Sequence, residues 1–347
     1  MGVATERIAG DRFIEVETEV LTVRASDGQP LAVTRKRRPG RRAGAPVVLL
    51  HGFGQNRFSW HLESMSMAAA LVERGFDVHL AELRGHGLSG QRGSTAPAGF
   101  DDYVFRDAPA ILGAVRKAAR RRVFLVGHSL GATIAYALDP AEQKNLAGIV
   151  SIAGPSAYGL GAPVLSALSA AAVKAYDLLG LDRLPKPAAP IGFSTAWLAP
   201  LFRLPLFDRP IPGMPLALWT PRSIEPDVLA ERIVRGFDRT GWEVVKAIVL
   251  WFGTGRMLTP DRGDLYERNL AAKDAPIFFV AGNRDRVAPP ASVRPAYETV
   301  RSKDRLYREF GAGGEGCDFG HLDLIFGRRA PEHVWPAVAE WMRERAG

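Results

Sequence analysis

A short apolar run that passes without a break into a helix-forming stretch is the feature that most constrains this fold. Residues 122–138 read Arg-Val-Phe-Leu-Val-Gly-His-Ser-Leu-Gly-Ala-Thr-Ile-Ala-Tyr-Ala-Leu. A strand that turns directly into a helix exposes the side chain at the corner, here Ser129, in a strained conformation. Gly127 and Gly131 flank it because a Cβ atom there would collide with the closing strand or helix. The pattern predicts a nucleophile at Ser129, with an ordinary Gly-rich turn as the alternative.

Strand and helix signals alternate along most of the chain. Short, nearly continuous apolar runs are typical of strands covered on both faces, and they occur at 47–50, 78–81, 123–126, 148–152 and 276–281. A further strand is expected near 305–310, and helices are expected at about 60–73, 102–119, 130–138, 291–301 and 331–345. This alternation predicts an α/β fold with a mostly parallel, doubly wound sheet.

The start and the middle of the chain depart from that alternation. Residues 13–23 and 31–34 read as a hairpin joined by a turn at Ser26-Asp27-Gly28. From about 155 to 265 the strand signals stop, and prolines and tryptophans become frequent. We expect residues 1–154 and 266–347 to form one core domain, with 155–265 inserted as a mainly helical cap.

A nucleophilic serine needs a base and a carboxylate that orients the base. Two of the seven histidines follow the strand at 276–281, and His321 lies in a Gly-flanked loop from which it could reach over the sheet. His333 lies near the start of the last helix and is the weaker candidate. Asp285 follows the strand at the carboxyl edge of the sheet, where open α/β sheets carry their sites. The rival carboxylates are Asp318, Asp323, Asp261 and Asp264.

The negative charge that develops during acyl transfer needs preorganised backbone donors. His51-Gly52-Phe53-Gly54 follows the strand at 47–50, so the amide of Phe53 is one expected donor, and the amide of Leu130 is the second. We interpret His51, and likewise His86 and His128, as residues that shape loops. No carboxylate or second histidine lies at metal-ligand spacing from His51, so no metal site is expected.

These motifs, in this order, resemble the α/β-hydrolase superfamily over essentially the whole chain outside the insert. Gly320-His321-Leu322-Asp323 and Asp102-Tyr103-Val104 are similar to segments of acid lipases and, more distantly, of polyhydroxyalkanoate synthases. The synthases carry cysteine where this chain has Ser129, and haloalkane dehalogenases and many epoxide hydrolases carry aspartate there. The resemblance therefore implies a serine esterase or lipase with an acyl-enzyme intermediate and no metal or organic cofactor.

Aromatic residues in the insert predict an apolar binding surface and a lipophilic acyl substrate. The expected substrate contacts are Phe193, Trp197, Trp219, Trp251 and Phe252. Two alternatives stay open. The same residues could cleave a thioester, an amide or a carbon–carbon bond, or the chain could be a hydrolase-like binding protein without turnover.

Composition narrows the cellular context. The net charge is +8, and its densest source is the run Arg35-Lys36-Arg37-Arg38-Pro39-Gly40-Arg41-Arg42, which we interpret as a solvated loop between two strands. Aromatic residues do not interleave with it, so nucleic-acid binding is not expected, whereas weak attraction to an anionic membrane surface stays open. Cys317 is the only cysteine, and the N-terminal residues lack a secretory pattern. The chain is thus expected in the cytoplasm, and its oligomeric state is left open.

Overall fold

A nine-stranded sheet organises the residues described by the computed structural model, which are 2–180, 217–312 and 314–346. In chain order the strands are β1 (Gly2–Ala9), β2 (Arg12–Arg24), β3 (Pro30–Arg37), β4 (Pro46–Leu50), β5 (Asp77–Ala81), β6 (Val123–His128), β7 (Leu146–Ile152), β8 (Ile277–Gly282) and β9 (Arg305–Phe310). Their spatial order is β1-β2-β3-β5-β4-β6-β7-β8-β9. Strands β4 to β9 run parallel, and β1 to β3 extend one edge in antiparallel fashion.

Helices connect and flank the strands. In chain order they are α1 (Met67–Glu73), α2 (Gly87–Gln91), α3 (Phe100–Asp102), α4 (Ala108–Ala119), α5 (Leu130–Ala137), α6 (Pro163–Leu178), α7 (Pro226–Arg235), α8 (Trp242–Thr254), α9 (Leu265–Ala271), α10 (Pro290–Thr299), α11 (Asp323–Phe326) and α12 (Ala330–Glu344). A π-helical turn at Tyr103–Asp107 joins α3 to α4, and 3-10 turns occur at Arg57–Ser59 and Pro140–Asn145. Within the described ranges, no helix has the combined length and apolar character needed to span a bilayer.

The predicted α/β class and the mostly parallel sheet are confirmed, and two local predictions are corrected. The helix expected from about residue 60 begins only at Met67, because the Ser66 hydroxyl accepts the amide of Ala69 and caps the helix there. Residues 2–9, which were not predicted as a strand, form β1 and pair with β2 along an exposed hairpin. Their alternation is weak because most of β1 is exposed, so a buried-face pattern is missing.

The basic run is not simply a solvated loop, so that interpretation is wrong for residues 35–37. These residues form the end of β3, and each has a carboxylate partner on another strand. Arg35 Nε donates to Asp77 Oδ1 at 2.8 Å, and Lys36 pairs with Glu6. Arg37 is paired too, with Glu17 on β2. Partners distant in sequence thus neutralise the charges that the sequence alone leaves unpaired.

The described part of the chain between β7 and β8 departs from the alternation of strand and helix. It folds into α6, α7 and α8, and contains no strand, before α9 returns to the core and packs on α5. Helices α6 and α8 pack against each other. The boundaries of a cap at 155 and 265 stay a prediction.

The turn from β6 into α5 depends on a close backbone approach. A Cβ atom on Gly127 would lie 2.5 Å from the Ala132 nitrogen, and one on Gly131 would lie 2.3 Å from the Leu50 carbonyl oxygen. Between them Ser129 has φ 54° and ψ −118°, a conformation that costs about 1–3 kcal/mol in a non-glycine residue. The Ser129 amide donates to the Ile152 carbonyl at 2.9 Å, which holds the strained residue against β7.

We expect Gly127→Ala to destabilise the protein by about 3 kcal/mol, because the new methyl group must displace backbone of α5. Urea denaturation measures the difference in the free energy of unfolding. Gly113→Ala is the matched control, since that glycine lies within α4 with nothing within 4 Å of its Cβ position. The control should be neutral or slightly stabilising. Equal stability of the two variants would contradict the close-packed turn.

Candidate active site

The loops that follow four strands meet at the carboxyl edge of the sheet. From β4 the chain moves to β5 on one side, and it later returns to β6 on the other, so the strand order reverses at β4. In open α/β sheets, such a reversal leaves a crevice beyond the strand ends. The residues after β4, β6, β8 and β9 include the predicted site residues Phe53, Ser129, Asp285 and His321.

The loop after β4 lies directly against Ser129. The Cβ position of Gly52 is 3.3 Å from the Ser129 Cβ atom and 3.3 Å from the His128 carbonyl oxygen. Phe53, the next residue, keeps 38% of its surface exposed. Leu130 is the first residue of α5, where backbone amides are free of helical partners. Leu130 therefore follows Ser129 in the chain, and the loop that carries Phe53 lies against Ser129 in space.

His321 and Asp285 are in direct contact. His321 Nδ1 donates to Asp285 Oδ2 at 2.7 Å, and both side chains are almost completely buried. The other carboxylate oxygen, Asp285 Oδ1, accepts the amides of Val287 and Ala288, each at 2.8 Å. Because a carboxylate can only accept, the proton of the imidazole lies on Nδ1, which leaves the Nε2 lone pair available. The loop after β8 therefore fixes the carboxylate, and the carboxylate fixes the ring.

The rival residues have other partners. Asp318 is 42% exposed and accepts from Asn283 and Arg284 on the outer side of the loop. Asp261 accepts from Thr259, and Asp264 pairs with Arg268 one helical turn later. His333 lies on α12, where Arg329 Nη2 is 3.4 Å from its Nε2 atom. Of the carboxylates weighed from the sequence, Asp285 is the one in contact with His321.

His128 contacts the catalytic candidates more directly than its interpretation as a loop-shaping residue suggested. Its Nε2 atom donates to the His321 carbonyl oxygen at 3.1 Å, and the two rings lie 4.7 Å apart. Burial holds the pKa of His128 well below its ordinary value, so the ring is neutral. His128 thus ties the residue before Ser129 to the loop that carries His321.

His51 and His86 do shape the loops around the site. His51 Nδ1 donates to the Gly52 carbonyl at 3.0 Å, and its Nε2 atom accepts the Leu83 amide at 3.2 Å. Burial, aided by His86, lowers the pKa of His51 to about 3. His86 Nδ1 in turn donates to the Arg84 carbonyl. These neutral rings connect the loop after β4 to the loop after β5.

Asp323 joins the His321 loop to the insert. Its Oδ2 atom accepts the amides of Gly320 and Thr220 at 2.6 and 2.9 Å, and its Oδ1 atom accepts the Ser223 hydroxyl at 2.7 Å. The Asp323 side chain is completely buried, and burial raises its pKa. From the sequence, Asp323 was a candidate only for the carboxylate that orients the base. The partners on the insert lie about a hundred residues away, so no local pattern marks them.

A second junction joins the insert to the loop after β4. The amide of Asp238 donates to the Gly54 carbonyl at 2.8 Å, and Asn56 Nδ2 donates to the Arg235 carbonyl at 2.8 Å. Asn56 also donates to the Asp238 carboxylate at 2.9 Å. The insert therefore contacts both loops that flank Ser129.

The predicted aromatic contacts fall into three groups. Phe193 and Trp197 lie outside the described residues. Trp219 is nearly buried and stands beside the His321 loop, whose Leu322 amide donates to the Leu218 carbonyl. Trp251 and Phe252 on α8 are buried and pack edge-on or tilted against Phe100, Tyr158 and Tyr266. Their roles as substrate contacts stay predictions.

Comparison with known proteins gives partial matches to lipases. Residues of this chain are 32% identical to lipase member K of Homo sapiens over 133 residues, which is 34% of this chain and 33% of that protein. They are 31% identical to gastric triacylglycerol lipase of Homo sapiens over 148 residues, 38% of this chain and 36% of that protein. The chain thus matches about a third of the length of these curated relatives.

A solved structure matches over far more of the chain, at lower identity. The monoacylglycerol lipase of Paleococcus ferrophilus covers 91% of this chain and 99% of its own, with a TM-score of 0.53 and 20% identity. This similarity supports the fold. The model of the alpha/beta hydrolase family matches residues 47–330, which include β4 apart from its first residue, the strands β5 to β9, and Ser129, Asp285 and His321. The chain therefore belongs to the alpha/beta hydrolase family.

Proposed function

We propose that this protein is a serine hydrolase that cleaves carboxylic esters of lipophilic acyl substrates through an acyl-enzyme on Ser129. The observation that carries the proposal is the bond from His321 Nδ1 to Asp285 Oδ2, on a loop that contacts His128, the residue before Ser129 in the strained strand-to-helix turn. A charge-oriented imidazole next to a nucleophile is the arrangement that acyl transfer requires. The similarity to lipases supports ester bonds as the substrate class.

In this mechanism His321 Nε2 takes the proton of the Ser129 hydroxyl while the oxygen attacks the ester carbonyl. Asp285 holds the Nδ1 tautomer and stabilises the imidazolium that forms. The amides of Phe53 and Leu130 donate to the oxyanion, and the imidazolium then protonates the departing alcohol. Water repeats the sequence on the acyl-enzyme, with His321 again as the base, and releases the acid.

The insert supports a lipophilic substrate. Trp219 lies next to the His321 loop, and the insert also contacts the loop after β4. We therefore expect an acyl chain bound to Ser129 to pack against apolar residues of the insert such as Trp219. Burial of an acyl methylene against such residues contributes roughly 0.8 kcal/mol. Activity should therefore rise with acyl length before it levels off.

Ser129→Ala should abolish hydrolysis of p-nitrophenyl hexanoate and octanoate, because no other group supplies the nucleophile. A loss of at least about 10⁴-fold in kcat is expected, and a fluorophosphonate probe should label Ser129 in the wild type only. Ser156→Ala is the control, since that buried hydroxyl contacts the Ser292 carbonyl instead. Unchanged turnover in Ser129→Ala would refute the proposal. A wild type that neither turns over esters nor takes the probe would favour a binding protein.

Asp285→Asn should lower kcat by about 10³- to 10⁴-fold, because an amide no longer selects the Nδ1–H tautomer of His321. Steady-state kinetics on the same esters measure the effect. Asp318→Asn, the exposed aspartate of the neighbouring loop, should change kcat less than about threefold. Comparable losses in both variants would remove Asp285 from the mechanism.

Asp323 is a positioning residue in this proposal. It contacts neither Ser129 nor the imidazole, and it holds the amide of Gly320 directly before His321. Asp323→Ala leaves the amides of Gly320 and Thr220 without their acceptor. An unsatisfied buried amide costs about 1–3 kcal/mol.

Asp323→Ala should therefore lower the free energy of unfolding by about 3 kcal/mol, and kcat should fall while KM changes little. Asp323→Asn retains an acceptor for both amides and should recover most of both quantities. Asp318→Ala serves as the surface control, with an expected change below about 1 kcal/mol. A full loss of kcat in the Asn variant would mean that the charge itself takes part in the reaction.

A further inference from the structure

Arg232 on α7 is a buried cation without a carboxylate partner. Only 1% of its surface is exposed, and among the described residues no carboxylate lies within ion-pairing distance. Its Nη2 atom makes one long hydrogen bond, 3.4 Å, to the Ser59 hydroxyl, and its Nε and Nη1 atoms have no partner. Arg84, buried to a similar degree, instead pairs with Asp27 and Asp107.

The guanidinium of Arg232 fits only because residue 236 is a glycine. Nη1 lies 1.4 Å from the Cβ position of Gly236, so any other residue there would exclude the guanidinium. The rings of Phe237 and Phe326 lie 4.5 and 5.7 Å from the guanidinium carbon, and they attract the charge without accepting hydrogen bonds. Burial lowers the pKa of Arg232 to about 9, so the group is still protonated at neutral pH. A buried guanidinium whose N–H groups lack acceptors lowers the stability of the fold unless a bound ligand supplies those acceptors.

A chain of short contacts connects Arg232 to Ser129. The Ser59 hydroxyl that it contacts donates to Gln55 Oε1 at 2.7 Å, and that oxygen is 3.2 Å from the Cβ position of Gly52. The Ser129 Cβ atom is 3.3 Å from the same position. Burial and His321 have the larger effects on the pKa of His128, the residue before Ser129, and the charge of Arg232 lowers this pKa further.

The acid whose charge acts on Arg232 does not pair with its free donors. Asp238 favours the charge of Arg232 through its field, but its Oδ2 atom accepts from Asn56 at 2.9 Å and from the Gly87 amide at 2.8 Å. Nε and Nη2 share one edge of the guanidinium, where Nε is unpartnered and Nη2 has the single long bond to Ser59. That edge matches the two oxygens of a carboxylate.

We propose that Arg232 forms an anion-binding subsite and that the preferred esters carry a carboxylate at the end remote from the scissile bond. This inference rests on the proposed ester hydrolysis for its catalytic meaning. It narrows the substrate from a lipophilic ester to an amphiphilic one, in which an apolar chain separates the ester from a carboxylate. The carboxylate belongs either to the acyl part or to the alcohol part.

Matched substrates separate these cases. Mono-p-nitrophenyl adipate and p-nitrophenyl hexanoate have acyl chains of equal length and differ in the terminal carboxylate, whereas 4-carboxyphenyl hexanoate carries it on the leaving group. Its neutral counterpart is phenyl hexanoate. In one of the two pairs, the wild type should prefer the charged ester over the neutral ester by at least about tenfold in kcat/KM. Arg232→Met should bring that ratio to about one, and Arg232→Lys should keep part of it.

Arg268→Met, which removes an exposed arginine of α9, is the control and should leave the ratio as in the wild type. A wild type that prefers the neutral member of both pairs would overturn the inference while ester hydrolysis stands. So would an Arg232→Met variant that stays folded, by its melting temperature, and loses activity equally on charged and neutral esters.

Binding to Ser129→Ala provides a measurement that does not need turnover. Either monomethyl adipate should raise the melting temperature of this variant more than methyl hexanoate does, or 4-carboxyphenyl hexanoate should raise it more than phenyl hexanoate does. Ser129→Ala/Arg232→Met should lose the difference. If no ester is hydrolysed but this difference is present, the subsite stands and the proposed reaction fails. If neither charged ligand raises the melting temperature more than its neutral counterpart, the subsite fails whether or not esters are hydrolysed.

Discussion

The contact between β6 and the first turn of α5 is the constraint on which the rest of the site depends. Only glycine fits at positions 127 and 131, because backbone atoms lie within about the length of two bonds of each missing Cβ atom. The approach allows α5 to start directly after Ser129, which places an amide of the helix start beside the hydroxyl. It also brings the loop after β4 against the same serine. The close packing thus fixes the proposed nucleophile and both proposed donors together.

Around this rigid corner, buried polar groups are held by partners that are distant in sequence. The carboxylate of Asp285 accepts from its own loop and from His321, and Asp323 accepts from the loop of His321 and from the insert. His128 adds a bond to the carbonyl of His321. Each group has defined partners, so the loops are set by hydrogen bonds as well as by packing. Arg232 departs from this pattern as a buried charge whose Nε and Nη1 atoms have no partner, which is why it stands out as a ligand group.

The sequence was sufficient for the fold class, most strands of the parallel sheet and the pairing of Asp285 with His321, because each has a local signal at a strand end. It was insufficient where the partner is remote. The charges at 35–37 looked unpaired because Asp77, Glu6 and Glu17 reach them only through strand pairing. The junctions at Thr220 and Asp238 also join segments about a hundred residues or more apart. The burial of Arg232 could not be predicted either, because no local signal in α7 distinguishes it from Arg235.

Because two hydrogen-bonded junctions join the insert to loops of the core, it is poorly suited to replacement by the insert of a relative. A module grafted at the ends of β7 and β8 would also have to offer an amide to the Gly54 carbonyl, a carbonyl to the Asn56 side chain, and an amide and a hydroxyl to Asp323. A graft lacking them would leave buried groups of the core unpaired, on the loops proposed to carry the chemistry. Diversification of specificity in this scaffold is therefore expected to proceed by point changes within the insert, with residues 218–223 and 235–238 kept.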